Sequence, residues 1–92
     1  MNTLCICYDL NKPGQDYTKL CDAIKNLGTW WHHLDSTWLV VTNSTPAQAR
    51  DYLKQFIDLG DELLVFNVGT GWAGQGFSEE CYQWLRDNWH SA

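Results

Sequence analysis

Two short runs, TWWHHL (residues 29–34) and TWLVVTN (residues 37–43), stand two residues apart in the middle of the chain, joined by Asp35-Ser36. Both are rich in aromatic and β-branched side chains, which fit a pleated surface better than a helix. The pair between them is turn chemistry, so the stretch reads as two strands of a hairpin or one long bent ribbon. Upstream, residues 3–10 (TLCICYDL) read as a buried strand ended by Asn11-Lys12-Pro13-Gly14. Between that strand and the hairpin, Tyr17, Leu20, Cys21, Ile24 and Leu27 recur at helical spacing over residues 16–27. Asp16 is placed to cap that helix and Gly28 to stop it. Downstream, Thr45-Pro46-Ala47-Gln48 has the form of a capping box with proline at the first helical position. The apolar stripe Ala49, Tyr52, Leu53, Phe56 and Ile57 follows, and Gly60 closes the helix. Residues 62–68 (ELLVFNV) supply a fourth strand. Gly69, Gly71, Gly74 and Gly76 make a loop, and Ser78 caps a last helix that runs to about Trp89.

The order is strand, helix, strand, strand, helix, strand, then an added glycine-rich loop and helix. Two crossovers around a hairpin define the split βαβ arrangement, a ferredoxin-like α+β sandwich. Right-handed crossovers put the first and third strands at the centre of an antiparallel sheet and both helices on one face. The other face then waits for the C-terminal segment or a second copy of the chain. Ninety-two residues make one domain, with its core in 3–68 and an extension in 69–92.

Composition narrows the function. Eleven Asp and Glu against six Lys and Arg give a formal charge of −5, and the basic residues are scattered along the chain. Nucleic-acid backbones are bound mainly by charge neutralisation, so that class of partner is disfavoured. There is no run of about 18 apolar residues to span a membrane and no signal-like start, which points to the cytoplasm and to reduced thiols. Six tryptophans exceed what a core this small needs, so some belong at an interface or in a ligand pocket.

Several residues carry candidate chemistry. Asp9 ends a strand that is otherwise apolar, where a carboxylate is costly unless paired, hydrogen-bonded or bound to a cation. It reads either as a Mg²⁺ or Mn²⁺ ligand or as a cap on the turn that follows. Asp35 and Ser36 read as the hairpin turn or as ligand contacts near Asp9. His32 and His33 are adjacent on a strand, point to opposite faces, and do not share a metal easily. Cys5 and Cys7 lie about 7 Å apart on one strand face, too far for an easy bridge. They are simplest as core thiols. The loop GTGWAGQG (69–76) has the spacing G-x-G-x-x-G without the lysine or the parallel strand context of a phosphate loop, so it reads as a flexible loop carrying Trp72 or as a lid or clamp over a small ligand.

The blocks LCICYDL, LDSTWLV and DELLVFNV, over residues 3–68, resemble the small CRISPR-associated Cas-two family and its relatives, the VapD-type ribonuclease toxins and short SinR-like proteins. The matching positions are Tyr8-Asp9 at the end of the first strand, Asp35-Ser36-Thr37-Trp38 at the hairpin, and Asp61 at the head of the fourth strand. The resemblance implies a homodimer whose two Asp9 side chains face one another across a cleft. It also implies Mg²⁺ at Asp9 in members that act as nucleases and Ser36 as a neighbour in the cleft, with Tyr8, Asp35 and Trp38 at the other matching positions as candidate binding residues. The chain departs from the family in its few basic helix residues and in its C-terminal loop and helix, where many members exchange a strand.

Three functions follow. The first is a Cas-two-like homodimeric, metal-dependent nuclease using Asp9. The second is a non-catalytic acidic interaction or inhibitor protein that meets a basic protein partner. The third is a module that stacks a nucleotide-type ligand on tryptophan, with Trp72 in the pocket.

Overall fold

The computed structural model describes residues 1–11 and 17–91. It is an α+β domain with one four-stranded antiparallel sheet and three helices. Strand β1 spans Asn2–Asp9, helix α1 Thr18–Lys25, β2 Thr29–Leu34, β3 Thr37–Thr42, α2 Pro46–Leu53, β4 Glu62–Asn67 and α3 Glu79–Asn88. The turn expected at Asn11–Gly14 and the cap expected from Asp16 fall largely outside the described residues. The sheet order is β2-β3-β1-β4, which places β1 and β3 in the middle and leaves β2 and β4 as edges.

Period-two alternation sorts the strand residues into two cores. Ile6, Trp38 and Val40 face one side, where Leu20, Ala23 and Ile24 of α1 and Leu53 of α2 cover them. Cys5, Trp31 and Leu39 face the other side and meet Cys81 and Leu85 of α3. Each cluster holds one nearly inaccessible indole, Trp38 at 1% exposure and Trp31 at 4%. Burying a large apolar side chain contributes about 2–3 kcal/mol, so these two residues anchor the two layers. The sheet face left for the C-terminal segment or a second copy is thus covered over its β2 half by α3.

The C-terminal helix is tied back to the first strand. The buried Thr3 hydroxyl donates to the Asn88 carbonyl at 2.8 Å and accepts from the His90 amide at 2.9 Å. The backbone adds a bond from the Thr3 amide to the His90 carbonyl at 3.0 Å. These bonds close the end of α3 onto β1 and satisfy polar groups that burial would otherwise strand.

Local signals are realised with two corrections. Thr45 accepts from the Gln48 amide at 3.1 Å while the Gln48 side chain accepts from the Thr45 amide at 2.9 Å, a complete capping box at the start of α2. Helix α2 ends at Leu53 in a 3-10 turn, Lys54–Phe56, before Gly60 is reached. Gly60 instead sits at φ +97° in a turn closed by the Asp61 amide on the Asp58 carbonyl at 3.1 Å, a third turn position that favours glycine. Gly28 is not a left-handed helix stop, because Gly60 and Gly76 are the described glycines with positive φ. Its role is proximity: a Cβ at Gly28 meets the Val41 carbonyl oxygen at 1.9 Å. The chain between α1 and β2 passes so close to β3 that no side chain fits. Gly28→Ala is therefore expected to push β2 off β3 and cost about 2–3 kcal/mol, read as a lower urea midpoint. An unchanged midpoint would show that the approach is relaxed in solution.

Candidate functional site

Tyr8, Asp9, Asp35, Ser36 and Trp38 gather at one end of the sheet, because antiparallel pairing sets Cys7 opposite Thr37 and so brings the end of β1 to the hairpin turn. Asp35 and Ser36 form the turn between β2 and β3, with Leu34 paired to Thr37 across it. The Ser36 carbonyl accepts the Tyr8 amide at 3.1 Å. On the α1/α2 side, the Trp38 Nε1–H donates to the Tyr8 hydroxyl at 3.0 Å. Burial pushes the Tyr8 phenol above its ordinary pKa, opposed by that donated indole proton and reinforced by the nearby Cys21 and Asp35. Tyr8 is thereby a half-buried neutral phenol that holds Trp38 in place. His32 stacks flat on Trp38 with ring centres 3.7 Å apart, and His33 meets Trp31 edge-on from the opposite face.

Adjacent strand residues diverge, so Asp9 points away from Tyr8 and is exposed. Its direct cross-strand neighbour is Glu62 on β4. Two carboxylates thus stand opposite each other where like charges destabilise a ladder. They line a surface groove of about 350 Å³ together with Cys7, Leu63 and Leu64. One chain offers these two carboxylates. Among the described residues, no group of three His, Cys, Asp or Glu side chains is gathered as a metal centre.

Asp61, named from the sequence without a task, has a clear one. Its carboxylate accepts the Asn11 amide at 2.8 Å, the Asp58 amide at 2.8 Å and the Tyr17 hydroxyl at 3.1 Å. The Asn11 side chain also donates to the Gly60 carbonyl. One carboxylate therefore joins the exit of β1, the entry of α1 and the turn before β4. Charge-assisted bonds of this kind are stronger than neutral ones. Asp61→Ala is expected to lower stability by about 2–3 kcal/mol in urea unfolding, with Asp61→Asn losing less because an oxygen acceptor remains. Equal midpoints for all three proteins would deny Asp61 this role.

Cys5, Cys7, Cys21 and Cys81 are free thiols. The Cys5 and Cys7 sulfurs approach to 3.7 Å although the residues are spaced by two along the strand, closer than the backbone spacing implied. Burial, then the contact with Cys7, pushes the Cys5 thiol up to about 12, so it is a protonated core group.

Trp72 is not part of this cluster. It belongs to the glycine-rich loop on the α3 side of the sheet, where it stacks toward Tyr82 and packs obliquely on Trp89. The Trp89 Nε1–H donates to the Gly69 carbonyl at 2.7 Å and holds the start of the loop on the end of α3. A Cβ at Gly74 meets the Tyr82 and Phe77 rings at 3.2 and 3.3 Å, so the loop lies directly on aromatic faces. Between loop, sheet and α3 is a cavity of about 170 Å³ walled by Trp31, Leu39, Trp72, Phe77, Leu85 and Trp89. The sequence pointed to Trp72 there but not to Trp31, whose only signal was its strand parity. No family model and no solved structure matches the chain significantly in comparisons with known proteins.

Proposed function

We propose that the chain is a ferredoxin-like, Cas-two-like domain that works as a homodimeric interaction protein assembled through β4. One observation carries this reading. Strand β4, Glu62–Asn67, is a sheet edge that presents Leu64 at 62% and Phe66 at 43% exposure on the side that α3 leaves uncovered. Natural edges are usually blunted by lysine, proline or a bulge, and ELLVFN has none of these. An edge with free backbone groups and an apolar face suits pairing with a copy of itself about a two-fold axis. The split βαβ order of elements and the sheet order β2-β3-β1-β4 support the ferredoxin-like assignment. The net charge of −5 directs the assembled surface toward a basic protein rather than a phosphate backbone. Four free thiols suit a reducing, cytoplasmic setting. Light scattering behind size exclusion is expected to give a dimer. Leu64→Lys and Phe66→Lys together are expected to give a monomer with an unchanged far-UV spectrum. A wild-type monomer at every concentration would overturn the proposal.

The pairing of Asp9 with Glu62 favours a second reading, a metal-dependent nuclease. A divalent cation relieves like-charge repulsion between facing carboxylates, and Mg²⁺ is commonly held by one or two carboxylates plus substrate phosphate. Asp9 and Glu62 would hold the ion, which when bound supplies Lewis acidity to a phosphodiester. In this reading Ser36 and Asp35 shape the adjacent rim and Tyr8 holds Trp38 in place. Asp9→Ala is expected to abolish Mg²⁺-dependent cleavage of single-stranded RNA or DNA while the dimer persists. Cleavage that survives the substitution would remove Asp9 from the chemistry.

A further inference from the structure

We infer that the β4 dimer pairs about a two-fold axis at Val65, and that the continuous sheet face so formed docks an amphipathic helix carrying lysine or arginine at both ends. The register and the occupant rest on the β4 dimer itself.

The ladder to β1 fixes which backbone groups of β4 are free. The Val68 amide donates to the Thr3 carbonyl at 3.2 Å, and in an antiparallel pair such bonds recur at every second residue. Phe66 and Leu64 therefore bond inward to Cys5 and Cys7, their cross-strand partners. Leu63, Val65 and Asn67 turn their N–H and C=O groups outward, and in a two-fold antiparallel pair these must meet outward groups of the other copy. With the axis at Val65, Val65 opposes its own copy and Leu63 opposes the partner's Asn67. Leu64 then stands beside the partner's Phe66, so the exposed apolar residues of β4 adjoin. An axis at Leu64 would set Glu62 against that phenyl ring. One at Phe66 would set Leu64 against Val68, which is already buried with α3.

The resulting face is apolar in the middle and acidic at both ends. Glu62, Leu64 and Phe66 alternate along one side of β4, opposite Asp9, Cys7 and Cys5 on the same side of β1. Leu64 and Phe66 of both copies form the centre. Asp9 and Glu62 are exposed, and Glu62 lies three residues from the axis. The two Asp9–Glu62 pairs thus stand about 20 Å apart along the strands, a spacing that neither chain has alone. A segment laid on a sheet face gains no backbone hydrogen bonds from it, so its own must be internal, as in a helix. Cationic side chains about 13 residues apart on a helix span that distance. Apolar side chains three and four apart between them meet Leu64 and Phe66.

The experiment titrates a capped alanine–leucine helix of about 18 residues, with two lysines at each end, into the full-length protein by calorimetry. One peptide is expected per dimer, with a Kd on the order of 10 μM. A peptide of the same composition with its lysines gathered at mid-helix is expected to bind about tenfold more weakly. Asp9→Asn with Glu62→Gln is expected to remove that difference while the dimer persists. Val65→Pro deletes an outward amide and spares the β1 ladder, so it is expected to give a folded monomer that does not bind. If that variant fails to fold, isotope-filtered NOEs between ¹³C-labelled and unlabelled chains test the same axis, and the Leu64 methyls are expected to contact the partner's Phe66 ring. A wild-type monomer at every concentration would overturn the β4 dimer and this docking face together. A dimer joined through Leu64–Leu64 contacts, one that leaves the peptide unbound or takes two, one that binds both lysine arrangements equally, or one that binds oligothymidylate more tightly would overturn the inference alone.

Discussion

The constraint on which the rest of the structure depends is that β1 is buried on both faces. Leu4 and Ile6 are fully enclosed on one side, and on the other Thr3 is fully enclosed and Cys5 nearly so. A strand between two neighbours has its backbone satisfied by the ladders to β3 and β4, but its side chains still need two apolar layers. Helices α1 and α2 provide one. Nothing in the four-strand, two-helix core can provide the second, so α3 must fold back, and the Thr3 hydroxyl receives its end. The loop between β4 and α3 then has to cross the sheet face, and the aromatic cavity forms beneath it.

That arrangement leaves an asymmetry. Helix α3 lies over Trp31 and Leu39, with Val68 just beyond β4 at the border of that cluster, and leaves Leu64 and Phe66 of β4 exposed. Leu64 and Phe66 stay exposed for that reason, not because the strand is intrinsically polar. The same half of the sheet carries the facing carboxylates Asp9 and Glu62. Apolar and acidic features therefore adjoin on one uncovered edge, while on the β2 side the loop and the terminal helix cover the same face of the sheet.

Asp9 and Asp61 show how similar residues take different tasks through position. Asp61 is half-buried, and the hydrogen bonds it accepts from the Asn11 amide, the Tyr17 hydroxyl and the Asp58 amide of its own turn make it part of the framework. Asp9 is exposed and faces the Glu62 carboxylate across the β1–β4 ladder, with its charge in contact with solvent. Only contacts from distant segments distinguish the two.

The sequence by itself determined the elements. Strand alternation, the Thr45–Gln48 capping box, the Ser78 cap and the Asp35-Ser36 turn are short-range devices, and each is present where its residues fall. It also placed Tyr8, Ser36 and Trp38 at paired strand ends, where they are hydrogen-bonded, whereas Asp9 turns to Glu62 on β4. The part Trp31 takes beside the Trp72 loop was not legible, nor was the purpose of Gly28, since both depend on what lies across the sheet. The tertiary structure alone decided that α3 covers Trp31 and Leu39 while Leu64 and Phe66 stay exposed, that the buried Trp31 N–H has no acceptor among the described residues, and that Asp61 joins three segments. Those outcomes come from contacts between residues far apart in sequence, where packing volume and hydrogen-bond satisfaction, rather than local preference, select the arrangement.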